Sequence, residues 1–441
     1  MRQMFQPMMF TIGEPALPEY LIDRIEEVND LVSLLSNPRI IYNLSVLGYR
    51  RIGKTSILNK VEQQLQNKNF IVVRFDVKKN MGAPEIFFDR LNAEIFKAYV
   101  KHLSRSKRFK KAANKIGSQI IQTITEVLSK KKLKGLGVET SVSADGTVSI
   151  TPKIEFVDQR KQRPDYQKIM ETILDAARAF AEESGTRLVI ILDEFQDIMK
   201  LRRYRGLNNI MDQFRSVVQE RGTMVSYVIC GSRVHMLREL LEGGGSPLFM
   251  HSKEYPVNGL KYENAIQLFE SYAIARGIKE DRTGELRELA EQAYRLVGGN
   301  PFYLMTLAEA WNEKTKERIE ETFDRELHYP TGSLRVYEDY VLSEDLKEAT
   351  GGPILRTIMQ ILASSRNQHN DETAPLTLTD VANFLGKPSQ QIEPYITELM
   401  KFDLVIKDER NKTYVIRDKV LERYLRMEAK ELDNKKIILP N

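Results

Sequence analysis

One stretch, Asn43–Leu58, constrains the fold more than any other part of the chain. Its apolar first part is typical of a buried strand and ends at Gly48; four residues later come Gly53, Lys54 and Thr55, followed by an apolar pattern with helical spacing. A glycine-rich turn between a strand and a helix lets backbone N–H groups surround phosphate oxygens. The positive end of the helix dipole points at the same oxygens. The stretch therefore predicts the phosphate-binding loop of a P-loop nucleotide-binding domain.

Each residue type in this loop suits one part of a nucleoside triphosphate. Lys54 is expected to reach the β- and γ-phosphates, and the hydroxyl of Thr55 is expected to bind Mg²⁺. Arg50 and Arg51 are not required by the pattern, so they face either the phosphates or a neighbouring domain. The residues of the loop that are predicted to contact the nucleotide are Gly48, Tyr49, Arg50, Arg51, Ile52, Gly53, Lys54, Thr55 and Ser56.

Two carboxylates follow a second apolar run. Residues 188–192 are consecutively apolar, which is typical of a central parallel strand, and Asp193 and Glu194 come directly after them. Open α/β sheets bind ligands at the carboxyl ends of their strands, beside the phosphate loop. Asp193 suits the outer coordination shell of Mg²⁺, and Glu194 suits the base that activates a water molecule. This pair turns a prediction of nucleotide binding into one of hydrolysis.

A third apolar run, at residues 224–230, ends in Gly231, Ser232 and Arg233. Ser232 and Arg233 either face the γ-phosphate or cap the helix that follows. Cys230 lies within the run and is expected to be a buried, small apolar residue. It is the single cysteine of the chain, so an internal disulfide and a multi-thiolate metal site are excluded, which favours a reducing, cytoplasmic setting.

Length and charge limit the remaining possibilities. With 441 residues the chain is long enough for two or three domains, and 42% hydrophobic with 29% charged residues is ordinary for globular proteins. No apolar run approaches the roughly 18 residues of a membrane span, so a membrane-spanning segment is not expected, nor is a membrane expected to be the main partner. A net charge of +5 permits a nucleic-acid partner without requiring one. The predicted domains are residues 1–258, 259–350 and 351–430.

The first domain contains an insertion at about residues 101–156 that a minimal nucleotide domain does not need. It combines an amphipathic helix with a hairpin pattern around Asp145 and Gly146. Its density of positive charge is typical either of a solvated face or of a surface that binds duplex DNA; a membrane surface is a weaker alternative. The basic residues are Lys101, Arg105, Lys107, Arg108, Lys110, Lys111, Lys115, Lys130, Lys131, Lys132 and Lys134.

The rest of the chain reads as helical, with a helix stop and restart around Gly299, Asn300 and Pro301 and a linker at residues 329–333. Three helices and a strand pair between residues 352 and 427 predict a winged helix-turn-helix. Its third helix, at about residues 389–402, carries Glu393 and Glu398 and is not basic. A protein-contact module is therefore the alternative to DNA recognition.

These motifs occur in a particular order. They are Asp23-Arg24-x-Glu26-Glu27, Gly48–Thr55, Leu192-Asp193-Glu194, Cys230-Gly231-Ser232, Gly299-Asn300-Pro301 and the C-terminal helices with their strand pair. With this order, from about residue 20 to residue 427, the chain resembles archaeal ATPases of the STAND class, relatives of AAA+ and origin-recognition ATPases. The Asp-Arg start, the Gly-x-Pro turn and the C-terminal unit make the resemblance narrower than the phosphate loop alone would.

The resemblance implies an AAA+-type α/β ATPase domain with a helical lid, a C-terminal winged helix, and ATP or ADP with Mg²⁺ as cofactors. It places Asp23 and Arg24 near the nucleotide, Pro301 against the adenine, and Ser232 or Arg233 as the first sensor. The segment at 246–249 leads into Met250 and His251 instead of an arginine, so no arginine donated by a second copy is assigned there. Duplex DNA, a second copy of the chain or another protein are the expected partners.

Overall fold

A computed structural model describes residues 12–105, 116–131, 133, 135–142, 148–154, 164–218, 224–242, 251–278, 283–314, 317–365 and 373–438. The turn predicted at Asp145 and Gly146, the segment at 246–250 and many lysines of the insertion lie outside these residues.

A parallel sheet of five strands forms the centre of the first half of the chain. Its order is β2-β5-β6-β1-β7, and all neighbouring strands are parallel. Every residue of β1, β5 and β6 is buried, as their largely apolar runs predict, and the buried residues include Ser45 of β1 and Ser226 of β6. The strands are β1 (Leu44–Leu47), β2 (Ile71–Asp76), β5 (Leu188–Asp193), β6 (Val225–Gly231) and β7 (Lys253–Pro256).

The register of this sheet brings three predicted motifs to one edge. Leu47, the last residue of β1, is paired with Gly231 of β6, and Asp76 of β2 is paired with Asp193 of β5. The phosphate loop, the acidic pair and Ser232 therefore leave the sheet side by side. Helices cover both faces of the sheet: α1 (Ile25–Leu35), α2 (Lys54–Asn67), α3 (Pro84–Arg105), α5 (Tyr166–Ser184), α6 (Ile210–Val218), α7 (Val234–Glu242) and a 3₁₀ helix at Phe195–Arg203.

The insertion contributes helix α4 (Ile116–Lys130) and the antiparallel pair β3 (Leu136–Val142) and β4 (Val148–Ile154), as its pattern predicts. Ile124, Val127 and Leu128 of α4 are buried in the core of the sheet domain. These three residues of the apolar face of the helix are thus covered by protein.

Five helices follow the sheet, and we call them the lid helices: α8 (Tyr262–Ala275), α9 (Thr283–Val297), α10 (Pro301–Ala310), α11 (Ile319–His328) and α12 (Ser333–Glu348). The predicted stop and restart is confirmed, since α9 ends at Val297 and α10 begins at Pro301, with the Asn300 side chain capping it. Helix α12 was not predicted; it occupies the region after the supposed linker.

The C-terminal unit comprises α13 (Pro353–Ser364), β8 (Leu376–Thr377), α14 (Leu378–Leu385), α15 (Ser389–Lys401), β9 (Val405–Asp408), β10 (Thr413–Ile416) and α16 (Lys419–Ile438). Its strands form an antiparallel sheet in the order β8-β10-β9. One apolar core runs from Leu260 to Met427, so the lid helices and the C-terminal unit are packed together without a break. Among the described residues, no helix has the length and apolarity needed to cross a membrane.

Candidate nucleotide-binding and catalytic cleft

The phosphate loop has the backbone that its glycines predict. A Cβ atom on Gly48 would lie 2.6 Å from the carbonyl oxygen of Val257, so no side chain fits there. Gly53 has a φ of +101°, a left-handed conformation that other residues rarely adopt, and α2 begins at the next residue. The loop therefore curls tightly before the N-terminus of α2, and the backbone N–H groups of that end are available to an anion.

Lys54 is held inside this curl. Its Nζ donates hydrogen bonds to the carbonyl oxygens of Gly48 at 2.6 Å and Tyr49 at 2.8 Å, and only 6% of the residue is exposed. An ammonium group carries three donors, and the two carbonyls use two of them, so one donor remains for an arriving phosphate oxygen.

Thr55 and Asp193 face each other across the loop. The Thr55 Oγ1 lies 3.5 Å from Oδ2 of Asp193, and Arg74 of β2 donates to the same Oδ2 at 3.0 Å. A hydroxyl and one carboxylate are the oxygen donors that Mg²⁺ takes together with substrate phosphates. Among the described residues, no three His, Cys, Asp or Glu side chains are grouped so that they could hold a metal ion. Thr55 and Asp193 would hold Mg²⁺, which would neutralise the charge of the phosphates.

Glu194 has one oxygen fixed and one available. Its Oε2 accepts hydrogen bonds from Gln196 Nε2 at 2.6 Å, from the Ser232 hydroxyl at 2.9 Å and from the Ser232 backbone N–H at 3.3 Å. Its Oε1 has no partner among the described residues, and the side chain lines the cleft. The residue has a φ of +49°, which turns it away from the strand direction of Asp193. This arrangement can orient a water molecule in front of the γ-phosphate.

A cleft of about 340 Å³ lies between the sheet domain and the lid helices. At the phosphate end it is lined by Lys54, Thr55, Ser56, Glu194 and Ser232; at the other end its walls are apolar and suit a nucleobase. The apolar walls are formed by Leu21, Ile22, Leu260, Leu268, Pro301 and Met305. The structure thus brings Pro301 to the wall of the cleft, and its contact with the adenine stays a prediction.

Of the predicted pair Asp23 and Arg24, the structure brings only Arg24 to the wall of this cleft. Both have left-handed backbone conformations, with φ of 60° and 68°. Arg24 lines the cleft, although only 3% of the residue is exposed. Its guanidinium donates hydrogen bonds to the carbonyl oxygens of Ile52 at 2.9 Å and Asn258 at 2.8 Å. Asp23 accepts a hydrogen bond from Asn264 of α8 and is not among the residues that line the cleft. Arg24 therefore ties the phosphate loop to the start of the lid helices.

Three consecutive loop residues contact the C-terminal half of the chain. The guanidinium of Arg417 lies 3.8 Å from the centre of the Tyr49 ring. Arg50 Nη2 donates to Asp345 of α12 at 2.8 Å, and the guanidinium of Arg51 lies 5.2 Å from the ring of Phe302. Ile52, the fourth residue of the turn, is buried. Arg50 and Arg51, whose direction the sequence left open, both reach the lid helices.

Arg233 is bound to the lid helices as well. Its Nη2 and Nη1 donate to Asp345 at 3.2 Å and to Glu348 at 2.6 Å, and its guanidinium lies over the ring of Phe402. Burial acts against the charge of Arg233, but its bonds with the two carboxylates raise its pKa. Of the two predicted sensors, Ser232 lines the cleft and Arg233 does not.

Several residues of the site were missed by the sequence reasoning. Arg74 fixes Asp193, and Gln196 fixes Glu194. Lys78, which follows β2, lines the cleft, and the backbone N–H of Ala16 donates to the Ser56 hydroxyl. Arg74 and Lys78 carry a signal in hindsight, since both are cations at the carboxyl end of a strand next to the acidic pair.

Comparison with known proteins agrees with this geometry. Residues 21–307, more than half of the chain, match the model of a family described as an ATPase domain predominantly from Archaea. The chain belongs to this family and is an ATP-hydrolysing enzyme with a P-loop NTPase fold. No curated protein matches the chain.

Two solved structures share the fold over nearly their whole length. The Walker-type ATPase of Pyrococcus abyssi has 17% identity and a TM-score of 0.57, with 94% of this chain and 99% of that chain covered. The ORC2 protein of Aeropyrum pernix, in complexes with ADPNP and ADP, has 12% identity and a TM-score of 0.50, with 95% and 98% covered.

Proposed function

We propose that the protein is an AAA+-type ATPase of the STAND class that uses Mg²⁺-ATP as a switch. The observation that carries this proposal is the set of contacts made by Tyr49, Arg50 and Arg51. Three neighbouring residues of the phosphate loop contact Arg417, Asp345 and Phe302, which belong to the C-terminal unit and the lid helices. A change in the phosphates is therefore transmitted directly to the C-terminal half of the chain.

Hydrolysis uses the groups at the phosphate end of the cleft. A water molecule held by the free Oε1 of Glu194 attacks the γ-phosphorus and gives one proton to that carboxylate. The bond from the γ-phosphorus to the bridging oxygen breaks, and ADP leaves with the electron pair. Lys54 and the N-terminus of α2 stabilise the charge on the phosphates, and Ser232 keeps Glu194 in place.

The C-terminal unit has the helix and strand order of a winged helix-turn-helix, and we assign it that role. With the basic insertion, it supports association with duplex DNA. Lys101, Arg105, Lys130 and Lys131 are exposed on the described part of the insertion, although Lys131 is paired with Glu182. Contacts between such residues and phosphates would give an affinity that falls steeply with salt.

A protein partner is the second candidate, and the exposed face of α14 and α15 favours it. Phe384 is 68% exposed, and the neighbouring exposed residues of α15 are Gln390, Gln391, Glu393 and Pro394. This face carries one carboxylate, Glu393, and one exposed cation, Lys387, in the turn between the two helices. A face with so little positive charge offers little to a phosphate backbone, whereas its exposed aromatic ring suits a protein surface. A membrane partner finds no support in the described side chains of α4, because Ile124, Val127 and Leu128 of its apolar face are buried.

The experiment that separates these candidates measures ATP turnover alone, with duplex DNA and with single-stranded DNA, together with the particle mass in each nucleotide state. DNA association predicts that duplex DNA changes turnover and co-elutes with the protein at low salt. If turnover is indifferent to DNA at low salt while the particle mass depends on the nucleotide, the protein partner or a second copy replaces DNA in the proposal.

A further inference from the structure

Two arginines lie near the phosphate end of the cleft, and the structure gives them different surroundings. The side chain of Arg50 is 24% exposed and lines the cleft, whereas the side chain of Arg233 is 7% exposed and does not. Both bind the same atom, Oδ1 of Asp345. Asp345 belongs to the lid helix α12, so a lid residue holds both arginines.

The hydrogen bonds of the two guanidinium groups differ in the same way. Arg233 uses Nη1 and Nη2 for Glu348 and Asp345, which leaves its Nε buried without a partner among the described residues. Arg50 uses only Nη2, and its other N–H groups have no partner in the part of the chain that the structure describes. A guanidinium group carries five donors in a fixed plane. With one fixed by Asp345, Arg50 still has donors for an anion.

Burial makes Asp345 depend on these two cations. It raises the pKa of Asp345, while Arg50 and Arg233 act in the opposite direction. The carboxylate is only 5% exposed on its side chain, so it has little water to replace a lost guanidinium. The buried Arg233 thus acts as the permanent counter-ion of Asp345. The same carboxylate can then orient Arg50, which is more exposed.

The geometry points to Arg50 as the arginine that contacts the γ-phosphate of ATP within the same chain, with Asp345 as the positioning residue that orients it. This inference rests on the proposed role of the cleft in hydrolysis. Arg50 forms and breaks no bond; its N–H groups stabilise the charge that develops on the γ-phosphate oxygens while the bond to the bridging oxygen breaks. Because Asp345 lies on the lid helix α12, the orientation of Arg50, and with it the rate of hydrolysis, depends on the position of the lid helices.

The first test compares Arg50→Ala and Arg50→Lys with the wild type in ATP turnover and in ADP affinity. Arg50→Ala is expected to lower kcat by about 10²–10³-fold, the usual loss for a donor to a developing charge. ADP lacks the γ-phosphate, so its Kd should change by less than about threefold. Arg50→Lys keeps the charge without the planar fork and should recover only part of the rate.

The second test is a double-mutant cycle with Asp345→Asn. Asp345→Asn alone is expected to lower kcat by about tenfold, and the double variant should be no slower than Arg50→Ala, since the two residues act as one unit. Glu344→Gln is the matched control, because Glu344 lies next to Asp345 on α12 and, among the described residues, pairs with Lys347 alone. Its turnover should equal that of the wild type.

Turnover by Arg50→Ala at the wild-type rate would overturn the inference and leave the proposed function intact. Multiplicative losses in the double variant would overturn the positioning role of Asp345. If Asp345→Asn does not fold, the two Arg50 variants decide alone. Absence of ATP turnover in the wild type would instead sink the proposed function itself.

Discussion

The nucleotide cleft and the exposed face of α14 and α15 are both polar surfaces, but they are built differently. In the cleft, Lys54 and Glu194 have partners that fix their direction, as does Asp193 beside the cleft residue Thr55. On the exposed face, Gln390, Gln391 and Glu393 point outward around Phe384 and are fixed by no such network among the described residues. Preorganised groups define a reaction, whereas exposed groups only limit the kind of partner. The structure therefore specifies the reaction at the cleft more closely than the partner at the exposed face.

The largest expected effects come from the preorganised groups of the cleft. Lys54→Ala removes the buried cation of the phosphate loop and should abolish ATP binding, measured by titration with a fluorescent ATP analogue.

Glu194→Gln keeps the shape of the side chain but cannot accept the proton of water, so it should bind ATP and lower kcat by at least about 10²-fold. Turnover by Glu194→Gln at the wild-type rate would contradict the role of this residue.

Arg24→Ala tests the base of the cleft. The substitution leaves the buried carbonyl oxygen of Ile52 and the partly buried one of Asn258 without a charged donor, so we expect a loss of about 2–3 kcal/mol in the free energy of unfolding. Urea unfolding followed by circular dichroism measures it. Arg39→Ala, at an exposed position, is the matched control and should change stability by less than about 0.5 kcal/mol. Equal losses in both variants would contradict the proposed role of Arg24 in tying the phosphate loop to the start of the lid helices.

A smaller effect is expected at the surface of the insertion. If Lys101 and Lys130 contact DNA phosphates, Lys101→Gln with Lys130→Gln should lower the slope of log affinity against log salt by about 2. Fluorescence anisotropy with a labelled duplex at several salt concentrations measures this slope. Lys314→Gln, an exposed position in the turn between α10 and α11, is the control and should leave the slope unchanged. An unchanged slope in the double variant would move the DNA contact away from these two lysines.

The smallest effect concerns Glu338, which is 2% exposed and accepts a hydrogen bond from Tyr303 at 2.7 Å. Burial, and then the neighbouring Asp418, raise its pKa well above the usual value. The folded state therefore holds this proton more tightly than the unfolded chain, so its contribution to stability falls as pH rises from the ordinary glutamate pKa toward the raised one. Glu338→Gln should remove that slope and change stability at pH 5 by less than about 1 kcal/mol. Urea unfolding between pH 4 and pH 8 is the measurement; an unchanged slope would contradict the assignment.

Much of the fold follows from local patterns. The largely apolar runs of β1, β5 and β6 predicted buried parallel strands, and the parallel arrangement then brought Gly48, Asp193 and Ser232 to one edge. These predictions succeed because a strand buried on both faces is made mostly of apolar residues, and a phosphate loop needs glycine at fixed positions. The family match and the shared fold confirm the ATPase prediction.

Helix α12 shows what a local pattern does not reveal. Its residues serve three surroundings at once: Leu334 and Leu342 are buried in the core, Tyr337 and Val341 line the cleft, and Val336 is 52% exposed. No single apolar stripe results, so its periodicity is weak. Asp345 contacts Arg50 across a sequence separation of 295 residues, a pairing that only the packing of the lid helices creates.

The central claim is that the nucleotide in the cleft sets the position of the C-terminal unit, and a pair of spin labels measures that position. Lys97→Cys on α3 and Glu409→Cys in the hairpin turn are suitable sites, with side chains 74% and 76% exposed. Cys230 is buried and burial raises the pKa of its thiol, so it should not react with the label. In the Glu194→Gln background, the account predicts that the distance distribution with Mg²⁺-ATP differs from that with Mg²⁺-ADP. Identical distributions, with both nucleotides shown to be bound, would contradict it.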